Sequence, residues 1–189
     1  MNSKNYTRTF LDSGYEKGMI ISLEKKYFHH EINVLRKKNG DKFILFDGKG
    51  NSSLCKVIEI NRKHFSLEII KLFEPSLREG IEIELGQSLI KNDPFNFSIQ
   101  KATELGVKKF SPIISERVVI KGKRSDSTSR EEKWRQIAQG ACEQCGENWI
   151  PEISSPLDIK EWSATVSSKT KIVLFPNAEA RLSDIEIQD

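Results

Sequence analysis

Ile81-Glu82-Ile83-Glu84-Leu85-Gly86-Gln87-Ser88-Leu89-Ile90, then Asn92-Asp93-Pro94, then Gln100-Lys101-Ala102-Thr103-Glu104-Leu105-Gly106-Val107: this stretch decides the fold. Its first ten residues are long and apolar enough for a strand. Asn92-Asp93-Pro94 supplies a helix cap followed by proline at the first helical position, where the missing N–H costs nothing. The helix is expected to run to residue 105, with Gly106 as its stop, and residues 110–114 read as strand again. Strands joined through a helix pair in parallel, so an α/β unit with a largely parallel sheet is expected from residue 74 onward.

Downstream the alternation continues. Residues 118–120 read as strand and 121–128 as a polar loop, and Ser129-Arg130-Glu131-Glu132 has the form of a capping box. From there Trp134, Ile137, Ala138, Ala141, Cys142 and Cys145 fall at helical spacing on one apolar face. A helix near 157–166 and a strand at 171–175 follow. Upstream of Pro75 the pattern is different. Residues 6–10, 19–23, 42–47, 54–60 and 65–72 are short runs of β-branched and aromatic residues, with Asp47-Gly48-Lys49-Gly50-Asn51 as a turn between two of them. Five strands in about 70 residues suggest a small barrel or sandwich. Phe28, Ile32 and Leu35 recur at i, i+4 and i+7 and mark one helix among them.

Composition narrows the classes. The chain has 189 residues, 30 Lys and Arg against 27 Asp and Glu, and three Cys. Balanced charge with 22 Ile and 10 Phe does not meet the condition for disorder. No window reaches the roughly 18 apolar residues of a membrane span, residues 1–10 contain no secretory apolar core, and three cysteines do not form a disulfide framework, so a cytoplasmic protein is expected. The net charge of +3 is unevenly spread: residues 1–73 carry 14 basic and 8 acidic residues, and residues 74–189 carry 16 and 19. A basic first segment suits a polyanion, and it equally suits a solvated face.

Several stretches can carry chemistry. Cys142-Glu143-Gln144-Cys145 is a CxxC, which in isolation reads as a redox pair or half a zinc site, but both cysteines lie on the apolar face and neither a second CxxC nor a paired His completes a tetrahedral metal site, so core packing is the expected role. Glu143 and Gln144 point off that face, toward a pocket edge or toward solvent. Neighbouring His29 and His30 project about 100° apart on a helix and cannot share a metal; one of them can meet a phosphate or base beside Arg36-Lys37-Lys38. Lys101 and Glu104, at i and i+3, form either a surface ion pair or a pair beside a ligand cleft. Ser115-Glu116-Arg117 follows a strand, where an Arg can clamp phosphate with two hydrogen bonds.

In order and spacing, His29-His30-x₃-Val34-Leu35-Arg36-x₃-Gly40-Asp41, residues 100–107, Ser115-Glu116-Arg117, Trp134-x₂-Ile137-Ala138 and Glu143-Gln144, with Arg8-Thr9-Phe10 near the start, resemble the bacterial 16S rRNA (uracil-N3) methyltransferases of the SPOUT class. The resemblance covers essentially the whole chain. It implies an α+β protein of two domains: a PUA-like RNA-binding β-barrel over 1–73 and, over 74–189, an α/β SPOUT domain whose trefoil knot holds S-adenosylmethionine and dimerises. The implied reaction methylates N3 of one uridine near the 3′ end of 16S rRNA in the 30S subunit. That base must leave its stack, lose an imino proton and meet the sulfonium methyl in line. Glu104, Arg117, Glu143 and Gln144 are the implied catalytic residues, with Glu104 or Glu143 as proton acceptor by residue type. Arg8, His29, His30, Arg36, Lys37, Lys38 and Lys101 are the implied RNA contacts; no metal is implied.

Two departures accompany the resemblance. Glu147 stands where the family usually carries Arg. The family's Gly-Pro-Glu-Gly-Gly and Leu-Gly-x-Arg-Ile-Leu-Arg loops do not occur in these 189 residues. Cofactor-binding residues are therefore not assigned, and the expectation is of a domain cut before its knot loops and inactive alone, with homodimerisation a property of the full-length protein. A non-catalytic RNA-binding remnant acting through the barrel is the alternative.

Overall fold

In the computed structural model residues 6–24, 37–61, 64–116 and 125–187 are described. The first half is a five-stranded mixed sheet. Its strands are β1 (Arg8–Phe10), β2 (Ile20–Glu24), β3 (Lys42–Phe46), β4 (Ser52–Ile60) and β5 (His64–Leu72), in the order β1-β3-β4-β5-β2. Only β1 and β3 are parallel, with Arg8 opposite Ile44; the other pairs are antiparallel. One face buries Phe43, Leu45, Cys55, Val57, Phe65, Leu67 and Ile69 as a single cluster. All five expected strands are present. The helix expected over 27–36 and the strand over 118–120 lie outside the described residues.

The second half is the expected parallel sheet. Strand β7 (Lys109–Ile114) lies between β6 (Glu84–Ser88) and the short β8 (Glu152–Ile153) and β9 (Leu157–Asp158), all parallel to it. Helices α1 (Asn92–Glu104) and α2 (Ser125–Cys145) cover one face. There Phe95 meets the Phe110 ring edge-on at 5.6 Å and the Trp134 ring at 5.1 Å, within a cluster that includes Ile99, Ala102 and Ala138. Helix α3 (Ile159–Thr165) lies on the other face and is capped by Asp158, whose carboxylate accepts the Lys160 N–H. Trp162 packs directly on Gly86, and its Nε1–H donates to Glu84 Oε1 (2.8 Å), which also accepts from Ser111 Oγ (2.7 Å).

Four expectations need correction. The N-cap of α1 is Lys91, before Asn92-Asp93, and it caps without a side-chain hydrogen bond, so Pro94 is the third helical residue and not the first; a proline is tolerated throughout the first turn, where N–H groups lack intrahelical partners. Helix α2 starts at Ser125, four residues before Ser129, so Ser129-Arg130-Glu131-Glu132 lies within it. Cys145 is exposed, because the apolar face ends at Cys142 where the helix passes beyond the sheet. Residues 171–175 are not a strand: Val173 is 85% and Leu174 83% exposed, and among the described residues no strand pairs with them. Without a partner for its N–H and C=O groups, an apolar run does not become a strand.

A Cβ at Gly86 would overlap the Trp162 indole. Gly86→Ala is expected to destabilise the protein by about 1–3 kcal/mol in urea unfolding and to cost much less in a Trp162→Ala background; equal costs in the two backgrounds would rule the packing account out.

Candidate functional site

The connectivity divides the candidate residues between two ends of the parallel sheet. Each helix returns the chain from the C-terminal to the N-terminal ends of the strands. Gln100, Lys101 and Glu104 on α1, and Glu143 and Gln144 on α2, therefore fall at the N-terminal end. Ser115 and Glu116, just beyond β7, fall at the C-terminal end, where open α/β sheets bind ligands. There Ser115, Glu116, Asp158, Ile159 and Lys160 line an open cavity of about 450 Å3. The carboxylates of Glu116 and Asp158 and the Lys160 ammonium make it a mixed-charge site. A second open cavity, of about 540 Å3, is lined mainly by apolar side chains of residues 171–185. Arg117, expected beside Glu116, lies outside the described residues, as do His29, His30 and Arg36.

At the opposite end both carboxylate oxygens of Glu104 accept hydrogen bonds. Its Oε2 accepts from Lys101 Nζ (2.7 Å) and its Oε1 from Gln100 Nε2 (3.0 Å). The Lys101 hydrogen bond holds the carboxyl below its usual value, the smaller effect of burial opposing it, so Glu104 is a weaker proton acceptor than a free carboxylate. Lys101 also lies 5.6 Å from the centre of the Phe97 ring. Glu143 Oε1 accepts the backbone N–H of Phe10 at 2.9 Å, which ties α2 to β1 of the first half; Gln144 is exposed. On the first half Lys38 is exposed, and Lys37 is half-buried, with its Nζ on Thr7 Oγ1 at 2.6 Å.

Arg8 is placed between the halves, not on an open basic face. Its Nη2 donates to Glu147 O (3.2 Å) and to Asn148 Oδ1, and its guanidinium lies 5.0 Å from the centre of the Phe46 ring. Burial lowers its pKa, against the opposing influence of Cys142, Cys145, Glu147 and Glu143. Around it, residues 147–150 dock onto the turn 47–51 and onto Ser76. Trp149 Nε1–H donates to Ser76 O (2.9 Å), Gly50 N–H to Asn148 O (3.1 Å) and Ile150 N–H to Gly48 O (3.1 Å). These contacts are not apparent in the sequence; their only trace is two glycines two residues apart and a Trp just past a helix end.

Comparison with known proteins identifies the parts. Residues 23–70 match the RNA methyltransferase PUA domain and residues 78–189 the RNA methyltransferase domain, so the two halves together are those of an RNA methyltransferase. Ribosomal RNA small subunit methyltransferase E of Buchnera aphidicola subsp. Schizaphis graminum is 34% identical over 183 residues, 96% of this chain and 74% of that protein. The chain belongs to the family of ribosomal RNA small subunit methyltransferase E. A member from Neisseria gonorrhoeae, solved bound to S-adenosyl methionine, superposes with a TM-score of 0.89 at 28% identity over 96% of this chain and 75% of its own. A methyltransferase from Legionella pneumophila, in complex with the same cofactor, gives 0.91 at 26% identity, covering 98% and 76%.

Neither cysteine of the CxxC is built for redox or zinc chemistry. Burial pushes the Cys142 thiol up to about 12, and its Sγ donates to Trp149 O at 3.3 Å; no group of three metal-binding side chains exists among the described residues. Native protein at pH 8 is expected to show one rapidly reactive thiol, Cys145, with Cys142 and Cys55 reacting only on unfolding, since burial also pushes Cys55 up to about 12. Two fast thiols in a native titration would revive the redox reading.

Proposed function

We propose that this chain reads RNA and takes part in catalysis as an S-adenosylmethionine-dependent enzyme that methylates N3 of a uridine near the 3′ end of 16S rRNA within the 30S subunit. Membership of the family carries this reading, supported by a PUA module joined to an α/β sheet with a polar cavity at its C-terminal end. The first half, taken as residues 1–73 and as a PUA-like barrel, binds RNA through Lys37 and Lys38, with His29, His30 and Arg36 from the adjoining segment and Lys101 from α1. The second half, residues 74–189, has the SPOUT design, with the knot and homodimer that this design implies.

The cavity offers a partial fit to the cofactor. S-adenosylmethionine brings a ribose diol and an ammonium, for which Asp158 is an acceptor, and a carboxylate, for which Lys160 is a counter-ion; Glu116 is left to face the substrate. When bound, the cofactor supplies an electrophilic methyl on sulfonium sulfur. The protein's share is to hold uracil N3 in line and to take up its proton. Glu104 is held by two donors and Glu143 by the Phe10 N–H, both at the other end of the sheet. Glu116 is therefore assigned as the acceptor, with Arg117 beside it to pair with a substrate phosphate and Gln144 exposed toward the RNA.

The test uses the complete gene product, labelled S-adenosylmethionine and 30S subunits lacking the modification. Label is expected at one N3-methyluridine of 16S rRNA, and Glu116→Gln should lower kcat by about 10²-fold or more. Label in 23S rRNA or tRNA, or none, refutes the reading. Binding of a 16S rRNA fragment should weaken steeply between low and high salt, as phosphate contacts require. Salt-dependent RNA binding without any cofactor binding by calorimetry would favour the non-catalytic remnant.

A further inference from the structure

Two halves with separate cores ordinarily move against each other unless a large apolar interface, or a set of specific contacts in its place, holds that interface fixed. Here it interlocks through residues that belong to neither core cluster. Asn148 and Trp149 are absent from the cluster around Phe43 and Leu67 and from that around Phe95 and Trp134. Between them they meet three separate segments. The Trp149 ring lies so close to Gly50 that a Cβ there would stand 2.6 Å from Cζ2, and Gly50 holds φ +99°, so the turn is shaped to receive the indole. The Trp149 N–H reaches Ser76 O in the connection between the halves. Asn148 accepts from Arg8 through Oδ1 and donates through Nδ2 to Ser76 Oγ (3.0 Å) and Ser52 Oγ (3.3 Å). Lys49 and Trp149 form an antiparallel β-bridge, so backbone of one half is paired to backbone of the other. Arg78 adds its guanidinium 5.4 Å from the centre of the Trp149 ring.

We propose that Asn148 and Trp149 are positioning residues: a pin that fixes the angle between the RNA-reading half and the methyl-transferring half, so that a base held by one is delivered in line to the other. The inference rests on the function proposed above and adds residues that act on the reaction through geometry alone. Removing Trp149 empties neither core, so both halves keep their ligands while their relative placement is released. A loss of alignment on the order of 1 Å costs about 10²-fold in rate.

The experiment compares Trp149→Ala, Trp149→Phe and Asn148→Ala in the complete gene product, well below each variant's melting temperature. Three quantities are read: RNA Kd by fluorescence anisotropy, kcat at saturating RNA and cofactor, and hydrogen exchange of the Gly50, Ser76 and Ile150 amides against the Ile69 amide of the first sheet. Trp149→Ala and Asn148→Ala should leave RNA Kd within about twofold, lower kcat by about tenfold or more, and accelerate exchange at the three seam amides but not at Ile69. Trp149→Phe, which keeps a ring over Gly50, should recover most of kcat. The proposal is overturned by unchanged kcat despite faster seam exchange, by unchanged seam exchange in both alanine variants, or by RNA Kd and kcat falling together, which would make these residues RNA contacts. Wild-type protein that neither methylates nor binds rRNA would instead sink the function proposed above; slow wild-type exchange at the seam, abolished in both alanine variants, would then show the pin without its use.

Discussion

Both faces of β7 are buried, and the second half is arranged around satisfying them. Phe110 enters the cluster beneath α1 and α2, while Ser111, 1% exposed, faces Glu84 and Ser154 on the side of α3. One strand thus presents an apolar row to two helices and a hydroxyl to a polar row under the third. The parallel pairings that enclose it on both edges fix where each helix must start and finish. From that follows the division of the sheet into two ends, one open to a small ligand and one turned toward the other half of the molecule.

The turn at residues 47–51 serves two structures at once. Within the first half it joins β3 to β4, and the Asp47 carboxylate holds it by accepting from Lys49 N, Asn51 N and Asn51 Nδ2. Toward the second half it offers Gly48 and Gly50, both at positive φ, to Ile150 and Trp149. Glycine is required twice over, once by the backbone and once by the neighbour. The contact between halves is therefore specified by residues that look, in isolation, like ordinary hairpin punctuation.

The parts legible in the sequence are those governed by local periodicity. The five strands of the first half, the strand–helix–strand unit around α1 and the apolar face from Trp134 to Cys142 follow from spacing and turn residues, and the structure has them. The parts that were not legible depend on partners far away in sequence. Residues 171–175 have a strand's composition, but among the described residues no strand pairs with them, and Cys145 continues the helical spacing of the apolar face yet is exposed. Arg8 reads as a phosphate contact by type, yet its Nη2 donates to a segment about 140 residues away. Glu104 and Glu143 read as catalytic by type, and the fold adds what type does not show: both Glu104 oxygens accept from Lys101 and Gln100, and Glu143 Oε1 accepts from the Phe10 N–H. Residue type specifies chemistry; only the fold specifies whether that chemistry is free to act.

Cys145 closes α2 at the helix turn that also carries Glu143, and the chain leaves it through Gly146 directly into the segment that docks on the first half. Its sulfur is exposed, while the other two thiols are buried. The molecule thus carries a native attachment point for a spectroscopic reporter within a few residues of the seam between its halves. A small environment-sensitive dye or a spin label placed there would register motion between the halves without any engineered cysteine, and its signal could be followed while RNA and cofactor are added in turn.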